Sequence, residues 1–303
     1  MFDKNPEEHY IQKGDPGKPT YYIIRRMNEF TDISTMYRLV MGHVRYALSK
    51  GWLPVVDMQN YPSPYLSPEK LGKENALEYF FEQPFRVNLD RAYNAENVVL
   101  SDGDCVKPYP DYSMKLLQKK NDDMVEWRML VKLGLLKMKP ELTKEIESLR
   151  EEIFLPEEVT LGVLLCGTDS NKKAKGQPIP PPAEFAVNTV SEKFREWECN
   201  KVILATDDKT LVDMFKNNFG ERCISLDQVF SVCYDTEQDD SDELNPSDDT
   251  VSFNILQGKK HLMQTILLCR CNFFIAERCS EATITMFLVK KFGHALFFNF
   301  GNY

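Results

Sequence analysis

Apolar positions along the chain alternate between two rhythms. Short unbroken runs rich in β-type residues read as buried strands: "TYYIIRRM" from Tyr21 to Arg25, "WLPVVDM", "VTLGVLLC", "KVILATDD", "CNFFIAE" and "ALFFNF". Between them, apolar residues recur every three or four positions. In "STMYRLVMGHVRYALSKG" they are Met36, Leu39, Val40, Val44, Ala47 and Leu48, with Ser34 or Thr35 placed to cap and Gly51 to stop the helix. "AEFAVNTVSEKFREWE" repeats the rhythm through Val187, Val190, Phe194 and Trp197. "KTLVDMFKNNFG", "KKHLMQTILLCR" and "SEATITMFLVKKFG" read as helices in the same way, "ENALEYFFEQP" as a short helix and "AENVVLSDG" as a strand leaving the sheet.

Strand–helix–strand order on both sides of a charged helical stretch, 112–152, predicts α/β architecture: two doubly wound, Rossmann-like halves with a helical junction. The expected domains are 1–155 and 156–303. The acidic block from 235 to 250 has no apolar period, so it reads as a solvated surface loop dispensable for folding.

Composition narrows the classes. A net charge of -9 argues against a nucleic-acid partner, which a basic face would have to hold. Eight cysteines are scattered without a CxxC pair and four histidines lie far apart, which argues against a zinc site. Reduced cysteines used as small hydrophobes fit a cytoplasmic protein. The polar N-terminal stretch lacks the apolar core of a signal peptide, and no run is long enough to span a bilayer.

In open parallel sheets, ligands sit beyond the carboxyl ends of the strands. Three strand ends of the second half deliver polar residues there: Cys166, Gly167, Thr168 and Asp169; then Thr206, Asp207 and Asp208; then Glu277, Arg278, Cys279 and Ser280. Each set also has a plain structural reading. Gly167–Asp169 can be a turn, Thr206 or Asp207 a helix cap, Ser280 another cap, and Arg278 a solvated rim residue.

The strings "LGVLLCGTD", "GQPIPPPAEF", "NKVILATDDKTLVDMFKNNFG" and "HLMQTILLCRCNFFIAERCSEAT" occur in the order that resembles the fucosyltransferase-like glycosyltransferases, the family of the α-1,6- and nodulation fucosyltransferases and bacterial surface-polysaccharide relatives. "YYIIRRMNEFTDISTMYRLVMGHVRYALSKGWLPVVDMQNYPSPYL" extends the resemblance through the first half. It implies a GT-B-like fold and transfer of a sugar from a nucleotide donor, GDP-linked in the characterised members, to a glycan acceptor, with no metal or other cofactor. Asp169 and Asp207 become the catalytic candidates, and Gly167, Thr168, Asp208, Gln264, Arg278, Cys279 and Ser280 the donor-binding ones.

The carry-over is incomplete. Cys166 stands where the family has a diphosphate-binding arginine, and Leu164 where a guanine-contacting histidine is expected. Gln177 and Gln264 replace a histidine and an aspartate, and Cys279-Ser280 keeps half of a serine pair. A thiol offers no guanidinium fork, and beside a helix N-terminus it is open to ionisation. Substitute cations would be Arg278, Lys172, Lys173, Lys175, Arg25 or Arg26. Two functions follow: an active glycosyltransferase with a diverged donor, or a catalytically silent relative that binds a glycan, a nucleotide or a partner.

Overall fold

The computed structural model describes residues 8–25, 32–101, 122–166, 178–234 and 248–303. It is a mixed α/β protein whose chain divides into two compact units. The first holds the described residues up to 101, then 122–144 and 248–262; the second holds 145–234 and 263–303. The division thus falls at 144/145 rather than at 155/156, and a segment from late in the chain belongs to the first unit.

In the first unit, β1 (Glu8–Lys13), β2 (Thr20–Arg25), β3 (Leu53–Asp57) and β4 (Asn97–Ser101) form a four-stranded sheet in the order β1-β4-β2-β3. β2 runs parallel to both β3 and β4, while β1 is antiparallel to β4 and carries a bulge between Tyr10 and Gln12. Two expectations change here. The "AENVVLSDG" strand does not leave the sheet but sits inside it, and the polar N-terminal stretch supplies an extra strand. Pro54 is tolerated because β3 lies at the sheet edge, where one face of hydrogen-bonding groups is free of a neighbouring strand.

Helix α1 (Ile33–Ser49) follows β2, and its cap is Asp32, which accepts from Thr35 N at 2.8 Å, rather than Ser34 or Thr35. Gly51, with φ of 71°, turns the chain just past the helix end. "ENALEYFFEQP" forms only a 3₁₀ turn at Ala76–Tyr79, followed by the short helix α2 (Leu89–Tyr93). Helices α3 (Asp122–Lys132) and α4 (Pro140–Ile153) occupy the charged stretch.

The second unit holds β5 (Thr160–Leu164), β6 (Lys201–Ala205), β7 (Cys223–Ser225), β8 (Phe273–Ala276) and β9 (Ala295–Phe297). Their order is β7-β6-β5-β8-β9 and every pairing is parallel. The order therefore reverses beside β5: the chain steps outward through β6 and β7, then returns to the other side for β8 and β9. Helices α5 (Ala183–Glu196), α6 (Lys209–Phe219), α7 (Leu226–Tyr234), α8 (Asp248–Leu268) and α9 (Ser280–Leu288) connect these strands.

Leu161, Val163, Val202 and Leu204 are sealed beneath Val190 and Phe215, each contributing roughly 1.5–3 kcal/mol by leaving water. Gly162 is required by closeness: a Cβ there would meet Cys271 Sγ at 3.1 Å and Leu268 Cδ2 at 3.2 Å. Helix α8 begins eleven residues before the predicted "KKHLMQTILLCR", absorbing the end of the acidic block, while 235–247 lies outside the described residues. No described helix is long and apolar enough to cross a membrane.

Candidate functional site

Parallel pairing brings the carboxyl ends of β5, β6 and β8 into one row. Leu164 is paired with Ala205 on one side and Ala276 on the other. The ladder runs slightly further, with Leu165 N donating to Ala205 O and Glu277 N to Leu164 O, both at 3.0 Å. The residues just past these bonds are Cys166, Thr206–Asp207 and Glu277–Cys279, so their convergence follows from register alone.

Cys166 and Cys279, both free and half-buried, are hydrogen-bonded to each other. Donation from Cys279 works to lower the Cys166 thiol, but burial and the nearby Glu281, Glu277 and Asp207 outweigh it and push that thiol up. Cys279 is driven well up by the same hydrogen bond, by burial and by Cys166 and Glu281. The expected ionisation at the helix N-terminus is thus reversed, because the carboxylates and the loss of water oppose the helix dipole. Both thiols are uncharged at neutral pH.

Cys279, not Ser280, caps α9: its Sγ accepts from Ala282 N at 3.4 Å, and Ser280 is the first helical residue. Asp208 caps α6 by accepting from Thr210 N at 2.8 Å and Leu211 N at 3.3 Å, the place expected for Thr206 or Asp207. Thr206 Oγ1 instead accepts from Asp208 N at 3.2 Å. Asp207 is left exposed at the end of β6.

Glu277 was not among the residues given a role by the sequence. It is only 8% exposed, and burial pushes its carboxyl up to about 8, with the Cys166 backbone N–H pulling down and Asp207 pushing up. The available signal was a carboxyl directly after the apolar run "FFIA" and two residues before a helix cap.

Two of the candidate cations, Arg278 and Arg25, are among the described residues. Arg278 Nη1 donates to Asn299 Oδ1 at 2.8 Å. Arg25 donates through Nε and Nη2 to the Ser101 carbonyl in the first unit. Gln264 is half-buried on α8 and has no part in the hydrogen bonds joining Cys166, Glu277 and Cys279. Gly167, Thr168, Asp169, Lys172, Lys173, Lys175, Gln177 and Arg26 lie outside the described residues. Among the described residues no group of three or more His, Cys, Asp or Glu side chains could hold a metal ion.

No family model matches the chain, and no curated protein matches it in sequence. Solved structures do. Fucosyltransferase NodZ from Bradyrhizobium aligns with a TM-score of 0.52 at 18% identity, covering 90% of this chain and 94% of that one. NodZ α-1,6-fucosyltransferase soaked with GDP-fucose aligns with a TM-score of 0.50 at 18% identity, covering 90% and 93%. The resemblance drawn from the strand-end motifs and the three-dimensional match converge: this chain shares the fold of the NodZ fucosyltransferase.

Proposed function

We propose that the protein is a glycosyltransferase-like protein of GT-B-like architecture, with two Rossmann-like halves. It transfers a sugar, fucose or a relative of it, from a nucleotide-sugar donor to a glycan acceptor during surface-polysaccharide synthesis in the cytoplasm. The observation that carries this reading is the fold shared with a fucosyltransferase over 90% of the chain. The strand-end row at the reversal of strand order adds to it, since ligands of open α/β sheets collect there.

In this reading the donor diphosphate lies along the ends of β5 and β8 and the start of α9, with Gly167, Thr168, Gln264, Arg278 and Ser280 around it. Asp207, or Asp169, accepts the proton of the acceptor hydroxyl as its oxygen bonds to the sugar's anomeric carbon. The anomeric carbon–phosphate oxygen bond breaks, and the nucleoside diphosphate leaves with the electron pair. Asp208 is already committed to the α6 cap, so its part is to shape the loop.

A second reading, a catalytically silent relative that binds a nucleotide, a glycan or a partner, is favoured by the uncharged Cys166–Cys279 pair. A thiol pair supplies no charge to a leaving diphosphate. Thermal melting with GDP, UDP, CDP and dTDP and their sugars separates the two, followed by a transfer assay on glycan acceptors. Stabilisation with transfer supports the enzyme, and stabilisation without it supports the silent binder. No response to any nucleotide would remove the donor-site reading altogether.

A further inference from the structure

Glu277 is a buried carboxyl that no lysine or arginine among the described residues meets. From β5 it faces Cys166, whose N–H it accepts and whose thiol is uncharged. From β6 the neighbour is the carboxylate Asp207. The α9 side brings Cys279 and Glu281, which act on the same Cys166 thiol. On its own strand end, Arg278 turns to Asn299 instead. Among the described residues no lysine or arginine pairs with Glu277. A carboxyl so placed does not hold its charge easily, because burial removes water and Asp207 adds repulsion.

An ionised Glu277 would add a further negative charge to a site already holding Asp207 and Glu281. A neutral Glu277 is instead a hydrogen-bond donor, and a carboxylic acid kept neutral by its surroundings can bond to an anionic oxygen. It stands three residues before the nine-residue helix α9, whose first turn is capped by a thiol sulfur, a weak acceptor.

We propose that Glu277, as the uncharged acid, binds the donor's diphosphate by donating its proton in a hydrogen bond to a phosphate oxygen, making it the residue that sets anion affinity in this site. The inference rests on the donor-site reading given above. It makes ligand binding proton-dependent: the acid form binds, and ionisation replaces a donor with a repelling charge.

Calorimetric titration of GDP, and in parallel of inorganic pyrophosphate, at pH 7.0 and pH 9.0 tests it on the full chain. The carboxyl titrates at about 8, so the wild type should bind roughly tenfold more weakly at pH 9.0. Glu277→Gln keeps a neutral donor and should show only the pH dependence of the ligand's own titration, so the roughly tenfold loss is read as the wild type relative to this variant. Glu277→Ala, checked for folding by thermal melting, should bind weakly at both. If GDP or pyrophosphate binds the wild type equally at the two pH values, or if Glu277→Gln loses affinity as the wild type does, the inference is overturned while the donor site stands. If neither probe binds any form at either pH, the donor-site reading fails, and this inference with it.

Discussion

Each unit ends one of its parallel strands in a buried carboxyl, and the two are built in opposite ways. Asp57, at the end of β3, is fully buried and surrounded by donors. Gln59 N and Asn60 N reach Oδ1 at 3.0 and 3.1 Å, while Asn60 Nδ2 and Tyr93 OH reach Oδ2 at 2.9 and 2.6 Å. Its acceptor sites are filled, and the hydrogen bonds fix the chain after β3 in place. Tyr93 is held protonated, pushed up by burial and by Asp57. Glu277, at the end of β8, sits instead among acids and thiols with a backbone N–H for company. A saturated carboxylate is a structural clamp; an unsaturated, proton-bearing one has capacity left for a ligand.

The comparison is broken most directly at Asp57. Asp57→Ala leaves several buried donors without an acceptor and should cost about 4 kcal/mol in urea denaturation. Glu277→Gln replaces one neutral polar group by another that takes up no proton on folding, so it should match the wild type near pH 4.5 and be a few kcal/mol more stable than it at pH 7. Equal losses in both variants would erase the distinction.

Proton linkage gives the next effect. The folded chain keeps a proton on Glu277 that the unfolded chain releases near 4.5, so the group's contribution is complete below that value. It is lost as pH rises toward about 8 and levels off above, for a total on the order of a few kcal/mol. Denaturation midpoints measured from pH 5 to 9 should therefore fall more in the wild type than in Glu277→Gln. Superimposable profiles would place the proton elsewhere.

A cation placed at Cys166 sharpens the contrast further. In Cys166→Arg the guanidinium would meet Glu277 and Asp207, ionise Glu277 and be largely neutralised there. The gain in GDP affinity should thus be small in Cys166→Arg and about tenfold in the double variant Cys166→Arg/Glu277→Gln, by calorimetry. A full gain in the single variant would show that the introduced guanidinium does not meet Glu277. Smallest is Asp208→Ala, expected to cost about 1 kcal/mol in stability, as loss of a helix cap does, with GDP affinity unchanged. A fall in affinity would return Asp208 to the donor-binding set.

Apolar runs and helical spacing alone were enough to locate β2, β3, β5, β6 and β8 and the helices between most of them, because burying a strand on both faces leaves an unbroken hydrophobic signature. They also put Cys166, Asp207 and Cys279 at strand ends, and ordered motifs pointed to the glycosyltransferase fold. β1 left no such trace: "EHYIQK" is mostly polar, residues 9–13 are exposed, and the segment becomes a strand because β4 offers it an edge. The grouping of 248–262 with the first unit and the selection of Asp32, Asp208 and Cys279 as caps depend on where side chains reach, which spacing does not encode. The sequence therefore determined which groups stand at the ends of the second sheet. Their charge was decided by tertiary structure alone, since burial among neighbouring acids is what keeps the proton on Glu277 and on both thiols.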